Sequence, residues 1–92
     1  MWKVYELKEV TKALKKAPRQ IQMKYLAWIE VVRRGGSENL RNFPGFRDEA
    51  LKGTLRECRS SRLNIQYRVI YEENRDIQEI IVLKVTPHEY RN

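Results

Sequence analysis

Apolar and polar positions alternate most regularly along Leu63-Asn64-Ile65-Gln66-Tyr67-Arg68-Val69-Ile70-Tyr71. Leu63, Ile65, Tyr67, Val69 and Tyr71 fall on one side of an extended chain. Asn64, Gln66 and Arg68 fall on the other, followed by Ile70. Period two with β-branched and aromatic residues predicts a strand with one buried face. Trp2 to Leu7 reads as a short first strand. From Glu9 to Lys16 the period becomes helical: Val10, Ala13, Leu14 and Ala17 recur at three and four, while Lys12, Lys15 and Lys16 face away. Pro18 ends that helix and is placed to open the next, because a first-turn proline forfeits no hydrogen bond. The second helix carries the stripe Ile21, Tyr25, Trp28, Ile29 and Val32, read as core, and stops at Gly35-Gly36.

Regularity breaks after the glycines. Ser37 can cap a turn carrying Leu40, and Pro44-Gly45 is a turn dipeptide between Phe43 and Phe46. Asp48 to Gly53 leads into a strand with Leu55 inward and Thr54 and Arg56 outward. Arg59-Ser60-Ser61-Arg62 reads as a polar turn, Glu73-Asn74-Arg75-Asp76 as another, and Ile77 to Val85 as the last strand. The order is strand, helix, helix, strand, strand, strand. The compact arrangement is α+β: an antiparallel four-stranded sheet, mixed at its edge, with two N-terminal helices on one face. Its open face carries Asn64, Gln66, Arg68, Lys84 and Thr86.

With 92 residues, the chain is expected to form a single domain spanning residues 1–92. Nineteen Lys and Arg against 12 Asp and Glu leave a formal charge of +7, a field suited to nucleic acid or an acidic protein partner. A merely soluble basic surface is the plain alternative. One cysteine, Cys58, excludes an internal disulfide, and one cysteine with one histidine falls short of a structural zinc site. No apolar segment follows Met1-Trp2-Lys3, and the longest aliphatic run, Ile80 to Leu83, is too short to span a bilayer. A cytoplasmic protein without a membrane partner is therefore expected.

There is no phosphate-cradling glycine motif and no nucleophile elbow. What remains is a carboxylate in a loop, an arginine on a strand and a histidine just past a strand end. Those three types suffice for RNA cleavage without a metal or other cofactor. A carboxylate takes the 2′-hydroxyl proton, a guanidinium holds the phosphate oxygens as charge develops, and an imidazole protonates the 5′-oxygen. Spacing alone is weak support, since Arg68 can simply pair with a carboxylate, Glu49 can be loop charge and His88 a tail residue.

Glu49-Ala50-Leu51-Lys52-Gly53, Arg59-Ser60-Ser61-Arg62-Leu63, Tyr67-Arg68-Val69-Ile70-Tyr71 and Pro87-His88-Glu89-Tyr90-Arg91 together resemble the RelE/ParE toxin superfamily. Within it the chain looks most like the YoeB-like and RelE-like ribosome-dependent mRNA endonucleases of toxin–antitoxin pairs. The resemblance follows the whole chain in element order and is most specific from residue 49 to 91. It implies Glu49 as general base, Arg68 as stabiliser of the pentavalent phosphate, His88 as general acid and Tyr90 as a residue stacking on the cut nucleotide. Lys52, Arg62 and Arg59 would bind RNA phosphates. It also implies a cognate antitoxin, the ribosome and mRNA as partners. YoeB-like chains place the tyrosine directly after the histidine, whereas here Glu89 intervenes, and some RelE-like members use lysines as base. Two other functions remain open: a ParE-like toxin that inhibits DNA gyrase without acid–base catalysis, and a basic module that binds RNA or protein.

Overall fold

The structure is a computed structural model and describes residues 1–53 and 57–87. Its strands are β1 (Lys3–Glu6), β2 (Glu49–Ala50), β3 (Cys58–Arg62), β4 (Tyr67–Asn74) and β5 (Glu79–Pro87). Its helices are α1 (Lys8–Lys16), α2 (Arg19–Arg33) and the single turn α3 (Gly36–Asn39), followed by 3₁₀ turns at Leu40–Asn42 and Pro44–Phe46. The five strands form one mixed sheet in the order β1-β5-β4-β3-β2, with β1 parallel to β5 and the other pairs antiparallel. The α+β class and the mixed edge agree with expectation. The strand count is five rather than four, and the described helices number three rather than two.

Each helix boundary has a local cause. Ala17 leaves α1 with extended dihedrals, as the residue before a proline prefers, and Pro18 precedes the first residue of α2. Lys15 and Lys16 in the last turn of α1, and Glu9 in its first, suit the helix dipole. Gly36 adopts φ +67°, and a Cβ there would meet the Trp2 ring and a Glu73 oxygen at 2.7 Å, so only glycine fits without displacement. The Ser37 amide and hydroxyl both donate to Glu73, at 2.6 and 2.7 Å, which ties α3 to β4.

Val10, Ile21, Tyr25, Trp28 and Val32 from the helices meet Val69, Tyr71, Ile80, Val82 and Val85 from the sheet in one core. Trp28 is its centre, stacked on Tyr25 at 5.9 Å and edge-on to Tyr71 at 5.1 Å. Val69 and Tyr71 face the helices, as alternation predicts, so Arg68 faces away from them.

The predicted strand over 63–71 is half turn. Leu63 is buried but donates its amide to the Tyr67 carbonyl, and the Asn64 side-chain oxygen accepts from the amides of Gln66 and Tyr67. An asparagine that closes its own turn competes with strand pairing, and Ile65 is left 72% exposed. Conversely, Arg59 to Arg62 is strand rather than turn, because Ser60 and Ser61 are buried there. The next turn lies at 75–78, with Gln78 at φ +54°, so β5 runs from Glu79 to Pro87 and not from Ile77 to Val85. The expected strand over Thr54, Leu55 and Arg56 lies outside the described residues.

One irregularity positions the open face. The register between β4 and β5 slips after Ile70, which pairs with Lys84, while Tyr71 pairs with Val82. Leu83 is the extra residue of a bulge. Ile80 and Val82 are buried before it and Val85 after it, so Lys84 and Thr86 turn outward beside Arg68.

Ile80 is fully buried whereas Ile77 is 59% exposed. Ile80→Val is expected to lower the unfolding free energy by about 0.5–1.5 kcal/mol, and Ile77→Val to leave it within about 0.5 kcal/mol, as read from urea midpoints at constant slope.

Candidate active site

The open face gathers charge from three neighbouring strands. Glu49 on β2 pairs with Ser60 on β3, and Arg62 on β3 pairs with Arg68 on β4, which pairs in turn with Thr86 on β5. Two guanidinium-bearing residues thus stand directly opposite one another, which is unfavourable in a sheet unless an anion joins them. Glu49 partly fills that role: its Oε1 lies 3.7 Å from Arg68 Nη1. That separation is an ion pair without hydrogen-bond contact. Arg68 is 20% exposed and Glu49 63%, so the pair contributes little stability and both groups remain open to a third.

Lys52 is exposed two residues beyond β2, and Arg62 is half-buried. Arg59 is placed differently. It pairs with Tyr71, on the helix side of the sheet; its Nε donates to Asp48 Oδ2 at 2.8 Å, and its Nη2 lies at ion-pair distance, also 2.8 Å, from the same oxygen. Its geometry gives it a structural partner and offers no support for a contact to RNA beside Arg68. His88 and Tyr90 lie outside the described residues; Pro87, the residue before His88, pairs with Tyr67.

Asp48, which the sequence presents only as the neighbour of Glu49, is the residue that pattern reading misses. Its carboxylate is 7% exposed and takes three hydrogen bonds, from Arg59 Nε, from the Ser61 hydroxyl at 2.7 Å and from the Tyr71 hydroxyl at 2.5 Å, with Arg59 Nη2 also in ion-pair contact. Ser61 in turn accepts from Trp28 Nε1 at 2.9 Å. The network locks the backbone immediately before Glu49 to β3, β4 and α2. A polar pair, Ser60-Ser61, among strand residues was its one trace in the sequence.

Burial, then the hydrogen bond and charge of Asp48, push the Tyr71 hydroxyl far above the ordinary tyrosine value. Tyr25 is pushed up in the same way by burial and by Glu6, to which it donates at 2.7 Å. Burial pulls Arg59 down, but the Asp48 hydrogen bond and charge outweigh it and leave its pKa raised. Cys58 is buried in β3, and burial, with Glu72 and Glu57 behind it, raises its thiol pKa. Among the described residues, no group of three or more His, Cys, Asp or Glu side chains could hold a metal ion, and no helix is long and apolar enough to cross a membrane.

Neither a protein-family model nor a curated protein matches the chain. Solved structures do. An archaeal RelE–RelB complex from Pyrococcus horikoshii OT3 matches at 27% identity over 98% of both chains, with a TM-score of 0.77. YafQ from E. coli strain BL21(DE3) matches at 11% identity over 95% of this chain and 93% of its own, TM-score 0.76. A YoeB–YefM complex from Staphylococcus aureus matches at 17% identity over 97% and 99%, TM-score 0.75. The last two show likeness of fold alone. The fold is that of the RelE/ParE toxin superfamily, as the resemblance of its motifs implies.

Both tyrosines stay protonated in the folded chain at pH values where they ionise when unfolded. Stability is therefore flat in this respect below pH 10.0, the ordinary tyrosine value, and falls above it. Tyr71→Phe is expected to lose about 1 kcal/mol near neutrality and to reduce the alkaline slope by up to about 1.4 kcal/mol per pH unit, as measured by denaturant titrations from pH 7 to 11.

Proposed function

We propose that this chain is the toxin of a type II toxin–antitoxin pair, a ribosome-dependent endoribonuclease that cleaves mRNA in the A site and so halts translation. The observation that carries the reading is the loose pairing of Glu49 and Arg68 beside Arg62, on a fold shared end to end with a RelE chain at 27% identity. A phosphodiester set between the two guanidiniums would relieve their repulsion. Glu49, exposed at the rim, is within reach of a 2′-hydroxyl on that nucleotide. Arg68, held on a central strand, meets the charge that grows on the equatorial oxygens, and Arg62 and Lys52 hold phosphates to either side. His88 supplies the proton to the departing 5′-oxygen and Tyr90 packs on the base. No metal is required, because each proton and each charge has a side chain assigned to it.

The partner of the similar RelE chain is RelB, and that of the similar YoeB is YefM. The partner here is a cognate antitoxin of apolar and acidic character. Its apolar side chains fit the groove of about 300 Å³ between α1 and α2, where Leu14, Tyr25, Leu26 and Ile29 are flanked by both Lys15 and Glu6 and Leu26 is 59% exposed. Ribosome and mRNA are the other partners, and the cytoplasm is where they are met.

At saturating toxin on programmed ribosomes, Arg68→Ala and His88→Ala should each slow single-turnover cleavage by at least about a hundredfold. Full-speed cleavage by both variants would rule the assignment out, and an induced DNA-damage response without mRNA fragments would point to gyrase instead. Lys52→Ala should mainly weaken binding, most at low salt, and reduce the salt slope by about one.

A further inference from the structure

β2 is an edge strand, and Glu49 occupies only one side of it. On the other side, where the chain arrives through Arg47 and Asp48, lies a cleft of about 350 Å³. Arg41, Arg47, Arg59 and Arg75 line it, against the carboxylates of Glu38 and Asp48. Two of the arginines have partners: Arg59 is held by Asp48, and Arg75 Nε lies 3.3 Å from Glu73. Among the described residues, no carboxylate is within ion-pair distance of Arg41 or Arg47.

Both unpaired arginines are displayed by anchored backbone. Arg41 follows Leu40, which is 2% exposed, and Arg47 sits between Phe46, at 5%, and Asp48. Arg47 adopts φ 43° and ψ 50°, left-handed dihedrals that glycine or asparagine would take with less strain. Its amide donates to the Pro44 carbonyl at 3.0 Å, which fixes that conformation. With Arg59 and Arg75 paired, Arg41 and Arg47 bring two positive charges to the cleft, and the one lining carboxylate left over, Glu38, does not balance them. The ligand that matches planar, forked donors is a phosphate, which accepts them two at a time.

We propose that this cleft is a second phosphate-binding subsite, taking one phosphodiester of RNA on Arg41 and Arg47. It deepens the endonuclease reading and rests on that reading only for the source of the phosphate. Asp48 and Glu49 are consecutive, one in the cleft and one on the open face. An RNA strand crossing the edge at β2 therefore touches the subsite and the Glu49–Arg68 pair together, and so is gripped on both sides of one residue step.

The test is a titration of the full ¹⁵N-labelled chain with inorganic phosphate, following the arginine Nε–Hε resonances. Saturable shifts are expected at Arg41 and Arg47. In the double variant Arg41→Gln/Arg47→Gln the phosphate-dependent shifts of the backbone amides at 41 and 47 should vanish, while the Nε–Hε resonances of Arg62 and Arg68 keep their wild-type positions as an internal control of folding. Binding of the same variant to a short single-stranded RNA and to empty ribosomes should be weakened roughly tenfold at low salt, with the slope of log K against log salt on the short RNA reduced by about 0.7, the value for one phosphate. Loss on the short RNA identifies the substrate strand as the source; loss on ribosomes alone identifies ribosomal RNA. The proposal is overturned by an absence of saturable shifts at Arg41 and Arg47, by an unchanged salt slope, or by shifts with poly-glutamate but not with phosphate or RNA. A chain that cleaves no mRNA yet shows these shifts would sink the endonuclease reading and leave the subsite standing.

Discussion

The Asp48 carboxylate is a buried anion, and an anion out of water with unsatisfied lone pairs carries a penalty of several kcal/mol. Here three elements of the fold contribute to removing that penalty. β3 supplies Arg59 and Ser61, β4 supplies Tyr71, and α2 reaches the network through Trp28 and Ser61. Because the partners come from separate elements, the network forms only when helix layer and sheet are both in place. It ties α2 to the sheet through directional bonds in addition to the apolar contacts of the core. The same carboxylate brings the 43–48 loop to the sheet edge, and the last residue of that loop precedes Glu49.

The two faces of the sheet consequently do different work with similar residues. Arg59 and Arg68 sit on adjacent strands, both beside a carboxylate. On the helix side, the pair is close and hydrogen-bonded, and its carboxylate is buried. On the open side, the contact is 3.7 Å long and the carboxylate is mostly in water. Geometry and burial, not residue type, separate a structural ion pair from one that a substrate can enter.

The same distinction governs what was legible in the sequence. The helices were legible because period and punctuation agreed: apolar spacing of three and four, Pro18, and the glycine pair. The core side of β4 was legible because Val69 and Tyr71 lie on a true strand. The strand–turn boundaries around it were not. Ser60 and Ser61 look like turn residues, and only the partners waiting in three dimensions make them strand. Asn64 looks like an open-face residue until its side chain is seen accepting two backbone amides. The motifs single out Glu49, Arg62 and Arg68, but their placement on one face depends on a cross-strand register that alternation does not encode. Arg59 carries the same charge as its neighbours and was grouped with them, since nothing local reveals which face a residue of an unrecognised strand will take.

The bulge at Leu83 makes β5 two half-strands in opposite phase. Before it, even-numbered residues belong to the core; after it, odd-numbered ones do. The extra residue works as a phase shifter, decoupling the half of the strand that must fill the core from the half that borders Arg68. Each half can then vary under its own constraint, one selected for volume and the other for charge. A chain of the same fold that moved the bulge by one position would keep its core and present a different set of side chains to whatever lies on the open face.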